Sequence, residues 1–284
     1  MNEKLLAPAK LNLCLYVGAA RDDGLHEIRS LFEPLRLSDE IRVSPAAGPE
    51  DEVVCEEVAG PNLAATALDR LREAGWSAPP LRVEISKRIP VAAGLGGGSA
   101  DAAAVLRLAR GEVEGIGAIA ASIGADVPSQ LEPRPCVVAG AGEVIEPVVP
   151  PGPHAVVLVP QADGLSTADV YAEGDRLTPP RGESELEVVR RRLHDALGTG
   201  ASPLDYTENL VNDLQPAAVA LRPEIEDVLA ALSEAGAGHA MVTGSGPTAF
   251  GLFADDAGAE RAVGALRDRY PQALATGPLY GAER

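Results

Sequence analysis

The chain has 284 residues, with 24 Lys plus Arg against 42 Asp plus Glu and a formal net charge of −18. Its 46% apolar content is enough to bury one large or two medium cores, which excludes disorder as the main state. The acidity excludes a nucleic-acid backbone or an anionic membrane as the expected partner, because both need a basic face. No run of about 18 apolar residues reads as a membrane span.

Period-two alternation predicts a strand with one buried face over Leu11–Val17, which also argues against reading the apolar start as a signal peptide. A helix is predicted over Pro61–Gly75, with proline at its start and glycine at its end, and a second alternating strand over Leu81–Ser86. Ser99–Arg110 reads as a helix capped by Ser99, with Asp101 complementing the dipole in its first turn. A short helix follows over Ile116–Ile123, ending at Gly124. Strands are predicted over Ala141–Val149 and Ala155–Val159, around the turn Pro150-Pro151-Gly152-Pro153. Beyond a loop at 178–183, helices are predicted near Glu185–Leu197, over Glu208–Leu221 and over Glu224–Gly236, with Pro223 between the last two. Strands Ala240–Thr243 and Thr248–Phe253 flank a Gly-Ser-Gly-Pro turn, and a helix over Ala257–Arg269 precedes a final strand. Helices and strands that do not strictly alternate indicate an α+β fold. A boundary near residue 152 gives two domains, 1–152 and 153–284. Three cysteines with no CxxC pair and four scattered histidines with no HExxH point away from a disulfide scaffold or zinc cluster. A cytoplasmic protein with reduced thiols is expected.

The strongest chemical signal is Pro90-Val91-Ala92-Ala93-Gly94-Leu95-Gly96-Gly97-Gly98-Ser99-Ala100, with four glycines in five positions opening into a helix. Glycine permits positive φ and lets backbone N–H groups approach a ligand closely. A helix N-terminus adds unpaired donors and partial positive charge, so the segment suits a phosphate. No lysine follows in the Walker position, and the third glycine of the dinucleotide pattern falls on Ser99 or Asp101. The protein-kinase HRD and DFG motifs are missing as well.

Three further segments have two readings each. Lys10, in Ala7-Pro8-Ala9-Lys10-Leu11-Asn12-Leu13, is either an edge-strand solubility residue or a site lysine. Asp126, in Gly124-Ala125-Asp126-Val127-Pro128, reads from this segment alone as shaping a turn, with a site role as the other reading. Thr243-Gly244-Ser245-Gly246-Pro247-Thr248 is either a tight hairpin or a second loop lining a polyphosphate site.

In this order the segments resemble the GHMP family of small-molecule kinases, together with Asp23–Phe32, Gly164–Tyr171 and the pair Asn212-Asp213. The resemblance runs over nearly the whole chain and is closest to the branch acting on a cytidine diphosphate alcohol. It implies a two-domain kinase fold, an ATP-binding and catalytic domain before a substrate-side domain, and ATP and Mg²⁺ as cofactors. It implies Lys10 and Asp126 as the catalytic pair, residues 90–100 as the ATP phosphate loop, and Asn12, His26 and Tyr171 as substrate contacts. Leu25 stands where the family has an aromatic flanking the base. Ser99 is a candidate Mg²⁺ ligand beside its capping role. A small-molecule substrate, a monomer or homodimer, and no nucleic-acid or membrane partner are expected. Other readings are a sister kinase for homoserine, mevalonate or a sugar, or a non-catalytic binding protein on the same scaffold.

Overall fold

The computed structural model describes residues 2–58 and 60–280. Two compact units are present, and neither is continuous in sequence. The first is Met1–Ala9, Leu37–Val91 and Gly96–Pro133; the second is Lys10–Arg36, Ala92–Leu95 and Arg134–Arg284. Two long strands, β1 (Glu3–Ala20) and β2 (His26–Pro45), each contribute residues to both units. The predicted single buried face of β1 is corrected: every residue from Ala7 to Gly18 is buried. The polar members of that run, Lys10 and Asn12, are hydrogen-bonded inside the protein, which offsets the cost of removing them from water.

In the first unit follow β3 (Glu52–Val54), α1 (Leu63–Glu73), β4 (Leu81–Ser86), α2 (Gly97–Arg107), α3 (Ile116–Ile123) and α4 (Val127–Gln130). β2 pairs antiparallel with β4 from Glu40 opposite Ser86 to Pro45 opposite Leu81, and β3 runs parallel to β4. Leu81, Val83 and Ile85 alternate inward as expected and share a core with Leu68 and Leu71 of α1 and Ala102–Leu106 of α2. The small alanines let α2 approach closely. α1 is capped by Asn62, whose side-chain oxygen accepts the Ala64 N–H at 2.8 Å, so Pro61 lies outside the helix.

Ser99 is not the cap of α2. Gly96, at φ +69°, turns the chain into the helix earlier, leaving Ser99 within the first turn. Asp101 consequently lies beyond that first turn and is buried rather than solvated at the helix start. The helix also ends at Arg107, short of Arg110.

In the second unit β2 pairs with β5 (Cys136–Gly140), from Ile28 opposite Gly140 to Phe32 opposite Cys136, and β5 pairs with β6 (Val144–Pro147). The strand expected over 141–149 is instead a hairpin turn followed by β6, because Gly140 and Gly142 both adopt positive φ and reverse the chain. Next come β7 (Ala155–Val159), α5 (Thr167–Leu177), α6 (Glu183–Gly198), α7 (Gln215–Leu221), α8 (Glu224–Glu234), β8 (His239–Val242), β9 (Ala249–Phe253), α9 (Asp256–Leu266) and β10 (Leu274–Thr276). An antiparallel sheet has the order β10-β7-β9-β8. Ala155, Val157 and Val159 pack with Val228 and Leu232 of α8 and Val263 and Leu266 of α9.

The helix expected over Glu208–Leu221 is α-helical only from Gln215. Its first part is diverted by β1: Leu15 N–H donates to the Val211 carbonyl at 2.7 Å, and Asp213 N–H donates to the Leu15 carbonyl at 2.8 Å. The mixture of helix and antiparallel sheet agrees with the α+β expectation. Among the described residues no helix is long and apolar enough to cross a membrane.

Candidate active site

Within the second unit, β1 carries Lys10 and Asn12 on the same side of the strand, two residues apart. Lys10 is only 6% exposed, so the solubility reading fails. Its Nζ donates to Asn12 Oδ1 at 2.7 Å and lies 4.9 Å from the centre of the Phe32 ring. Asn12 Nδ2 donates to Ser30 Oγ at 2.8 Å, and Ser30 donates onward to the Cys14 carbonyl at 2.5 Å. This chain of donors fixes the Asn12 amide with its oxygen toward the ammonium.

The glycine hairpin between β8 and β9 closes on the same residues. Asn12 N–H donates to Thr243 Oγ1 at 2.9 Å. Gly244 sits against the pair, since a Cβ there would lie 3.3 Å from Asn12 Oδ1 and 3.7 Å from Lys10 Nζ. Lys10 N–H donates to the Leu95 carbonyl at 2.9 Å, which ties β1 to the first glycine loop. At Gly94, φ is +73°, and a Cβ would come within 3.1 Å of the Gly246 carbonyl oxygen. The two glycine-rich segments, about 150 residues apart in sequence, therefore meet backbone to backbone. Asn212 secures the hairpin: its Nδ2 donates to the Val242 and Gly244 carbonyls at 2.8 Å each. Ser30, Phe32, Thr243 and Asn212 fall within segments that carry the resemblance, but their contacts with Lys10, Asn12 and the hairpin were not legible locally.

His26 and Tyr171 also meet in this unit, with ring centres 4.9 Å apart and planes inclined by 35°. His26 Nε2 lies 2.9 and 3.1 Å from the two carboxylate oxygens of Asp175 on α5. A pocket of about 250 Å³ adjoins Tyr171 and is lined also by Asp175, Pro179, Pro180, Arg181 and Asp213. Leu25, one residue before His26, is 52% exposed.

The first unit holds the helical end of the glycine loop. In any α-helix the first amides have no carbonyl behind them, and here these belong to Gly97, Gly98 and Ser99. Gly97 and Gly98 pack against protein on the side where a Cβ would project, 3.1 Å from Ile89 Cγ2 and 3.7 Å from Leu63 Cδ1, and unpaired helix amides of this kind suit a phosphate group. Asp126 stands at the N-cap position of α4, but its side chain does not cap the helix. Its backbone carbonyl accepts the Ser129 hydroxyl at 2.8 Å, which holds the turn.

Comparison with known proteins agrees with this arrangement. Residues 62–128 match the N-terminal domain of the GHMP kinases, and residues 189–272 match the C-terminal domain. The 4-diphosphocytidyl-2-C-methyl-D-erythritol kinase of Streptomyces coelicolor is 40% identical, over 94% of this chain and 93% of that protein. The protein of the same name from Corynebacterium diphtheriae is 38% identical, over 98% of this chain and 96% of its own length. A crystal structure of 4-(cytidine 5'-diphospho)-2C-methyl-D-erythritol kinase superposes with a TM-score of 0.80 at 34% identity, covering 97% of this chain and 99% of that one. Homoserine kinase from Cytophaga hutchinsonii shares the fold, with a TM-score of 0.73 at 17% identity over 97% of this chain and 94% of its own. Phosphate-ready glycine loops, a buried lysine and matches to both family domains lead to one conclusion: this chain belongs to the GHMP kinase family and is an ATP-dependent small-molecule kinase.

Proposed function

We propose that this kinase transfers the γ-phosphoryl group of ATP to the 2-hydroxyl of 4-diphosphocytidyl-2-C-methyl-D-erythritol, in non-mevalonate isoprenoid precursor synthesis. The observation that carries this reading is 38–40% identity, over nearly the whole chain, with kinases named for that alcohol.

Phosphoryl transfer passes through a loose transition state, so positioning and charge neutralisation dominate. Asp126 is the base that receives the hydroxyl proton, which leaves late, when the oxygen has already become acidic. Lys10 is its cationic partner and stabilises charge on the substrate oxygen. Asn12 serves the same site by orienting the Lys10 ammonium, a role supported by their 2.7 Å hydrogen bond. Residues 90–100 hold the ATP phosphates. His26 and Tyr171 hold the cytidine end of the alcohol, a role supported by their ring contact beside an open pocket. Mg²⁺, when bound with the nucleotide, neutralises phosphate charge.

Both substrates are polyanions and the protein carries −18, so long-range steering is repulsive, though screened beyond about 8 Å at physiological salt. Backbone amides, the α2 terminus and Lys10 supply the local compensation. ADP release from Mg-ATP tests the reading, with the cytidyl alcohol beside homoserine and mevalonate. Turnover confined to the cytidyl alcohol is expected. Turnover with a control alone would move the chain to a sister branch of the family.

A further inference from the structure

Three buried charges in the first unit have no part in the chemistry proposed above. Lys87, just past the end of β4, donates from Nζ to Asp101 Oδ2 at 2.7 Å and to Asp39 Oδ2. The three side chains are 7%, 3% and 0% exposed, respectively. As a stabilising device this is a poor choice. Buried ion pairs roughly break even against apolar packing, and here two carboxylates share one ammonium. Burial, together with Asp39, pushes the Asp101 carboxyl up to about 7 despite the adjacent lysine.

What the cluster joins is more specific than what it stabilises. Asp39 Oδ1 accepts the N–H groups of Arg88 at 2.6 Å and Ile89 at 2.8 Å, the two residues that lead into the loop at Pro90. Asp101 lies on α2, immediately beyond the loop. Two carboxylates and one lysine thus tie the entry of the glycine loop to its exit. Gly97 rests directly on this tie: a Cβ there would lie 3.2 Å from Lys87 Nζ and 3.1 Å from Ile89 Cγ2. The ammonium therefore lies close against the first residue of α2.

We propose that Lys87, Asp39 and Asp101 form a positioning brace that sets the glycine loop for the nucleotide, and that nucleotide affinity depends on it. The inference rests on the loop being the ATP phosphate site, and not on which alcohol is phosphorylated.

The test is equilibrium binding of AMP-PNP with Mg²⁺ to the full chain, with thermal unfolding measured on the same samples. Asp101→Leu cuts the tie at α2 and leaves Lys87 paired one-to-one with Asp39, so no buried charge loses its only partner. Its Kd is expected to rise about tenfold, whereas Asp101→Asn, which still offers Lys87 an oxygen, stays within about threefold. Lys87→Met is expected to raise Kd at least as much, with a lower unfolding temperature because Asp39 and Asp101 lose their shared cation. In turnover, KM for ATP rises by the same factor while KM for the alcohol and kcat move less than about threefold. Wild-type Kd values in Asp101→Leu and Lys87→Met, with only the unfolding temperature lowered, would reduce the cluster to fold stabilisation and overturn the proposal. No nucleotide binding by the wild-type chain would overturn it as well. Wild-type protein that binds AMP-PNP but leaves the cytidyl alcohol untouched would sink the substrate reading and leave the brace standing.

Discussion

Lys10 and Asn12, two residues apart on β1, form a buried hydrogen-bonded pair in which the amide oxygen holds the ammonium at 2.7 Å. The amide is itself held by Ser30 and, through its backbone N–H, by Thr243. A buried ammonium needs such a partner, because leaving a charged group without one costs more than the bond itself contributes.

Asn12→Leu keeps the branched shape and removes the oxygen. Turnover is expected to fall about 10- to 100-fold as the ammonium loses its orientation, with a loss of about 1–3 kcal/mol in stability. Steady-state kinetics beside urea unfolding separates the two effects. Unchanged kcat with reduced stability would leave Asn12 a structural role only.

For the proposed base, Asp126→Asn is expected to lower kcat by about 10³-fold while leaving Mg-ATP affinity nearly unchanged. The Asp126 side chain does not cap α4, so the change removes no cap from that helix. Near wild-type turnover would mean that another carboxylate takes the proton.

Gly94→Ala addresses the meeting of the two glycine-rich segments. At φ +73° an L side chain costs about 1–2 kcal/mol, and the added Cβ presses on the Gly246 carbonyl oxygen at 3.1 Å. Weaker ATP binding, by at least about tenfold, is expected. Gly111→Ala, also at positive φ but with open space around it, is the control and should lose stability without losing ATP affinity.

Leu25 lies exposed, one residue before His26, at the position where the resemblance implies an aromatic. If the cytosine faces this residue, Leu25→Tyr adds a stacking surface, and a base–aromatic contact is worth about 1–3 kcal/mol. The expected outcome is a lower KM for the cytidyl alcohol with KM for ATP unchanged. No change in either would show that this chain holds the base in another way.

His154 provides a pH signature of folding. It is buried with Nδ1 2.8 Å from the Gly152 carbonyl and Nε2 2.9 Å from Glu33 Oε2. Burial alone would lower its pKa, but the charge and hydrogen bond of Glu33 outweigh it, and the value lies above that of an ordinary histidine. The folded state therefore binds this proton more tightly than the unfolded chain does. Its contribution is complete below about pH 6.5, the unfolded value, and is lost as pH rises through the folded value. Urea midpoints measured from about pH 6 to pH 9 should fall more steeply for the wild type than for His154→Gln. Parallel profiles would assign the pH dependence to other groups.

How much was readable in advance follows from where the partners lie. The helix Ile116–Ile123 and the strand Ala155–Val159 rest on periodicity and apolar runs within a few residues, and the structure keeps both where the sequence puts them, whereas Gly97 and Gly98 of the glycine loop join α2. β2 escaped notice because Glu33 and Asp39 interrupt it with charges, yet both are fully buried. Their partners, His154 and Lys87, lie 121 and 48 residues away. The same holds for Asn12 and Thr243, separated by 231 residues. Local conformation is set by short-range sterics and hydrogen bonding, so sequence alone determined the α+β class, the phosphate-ready loop and the family resemblance. Whether a charged side chain ends in water or in the core depends on groups that only the folded chain brings to it, and that decision belonged to tertiary structure.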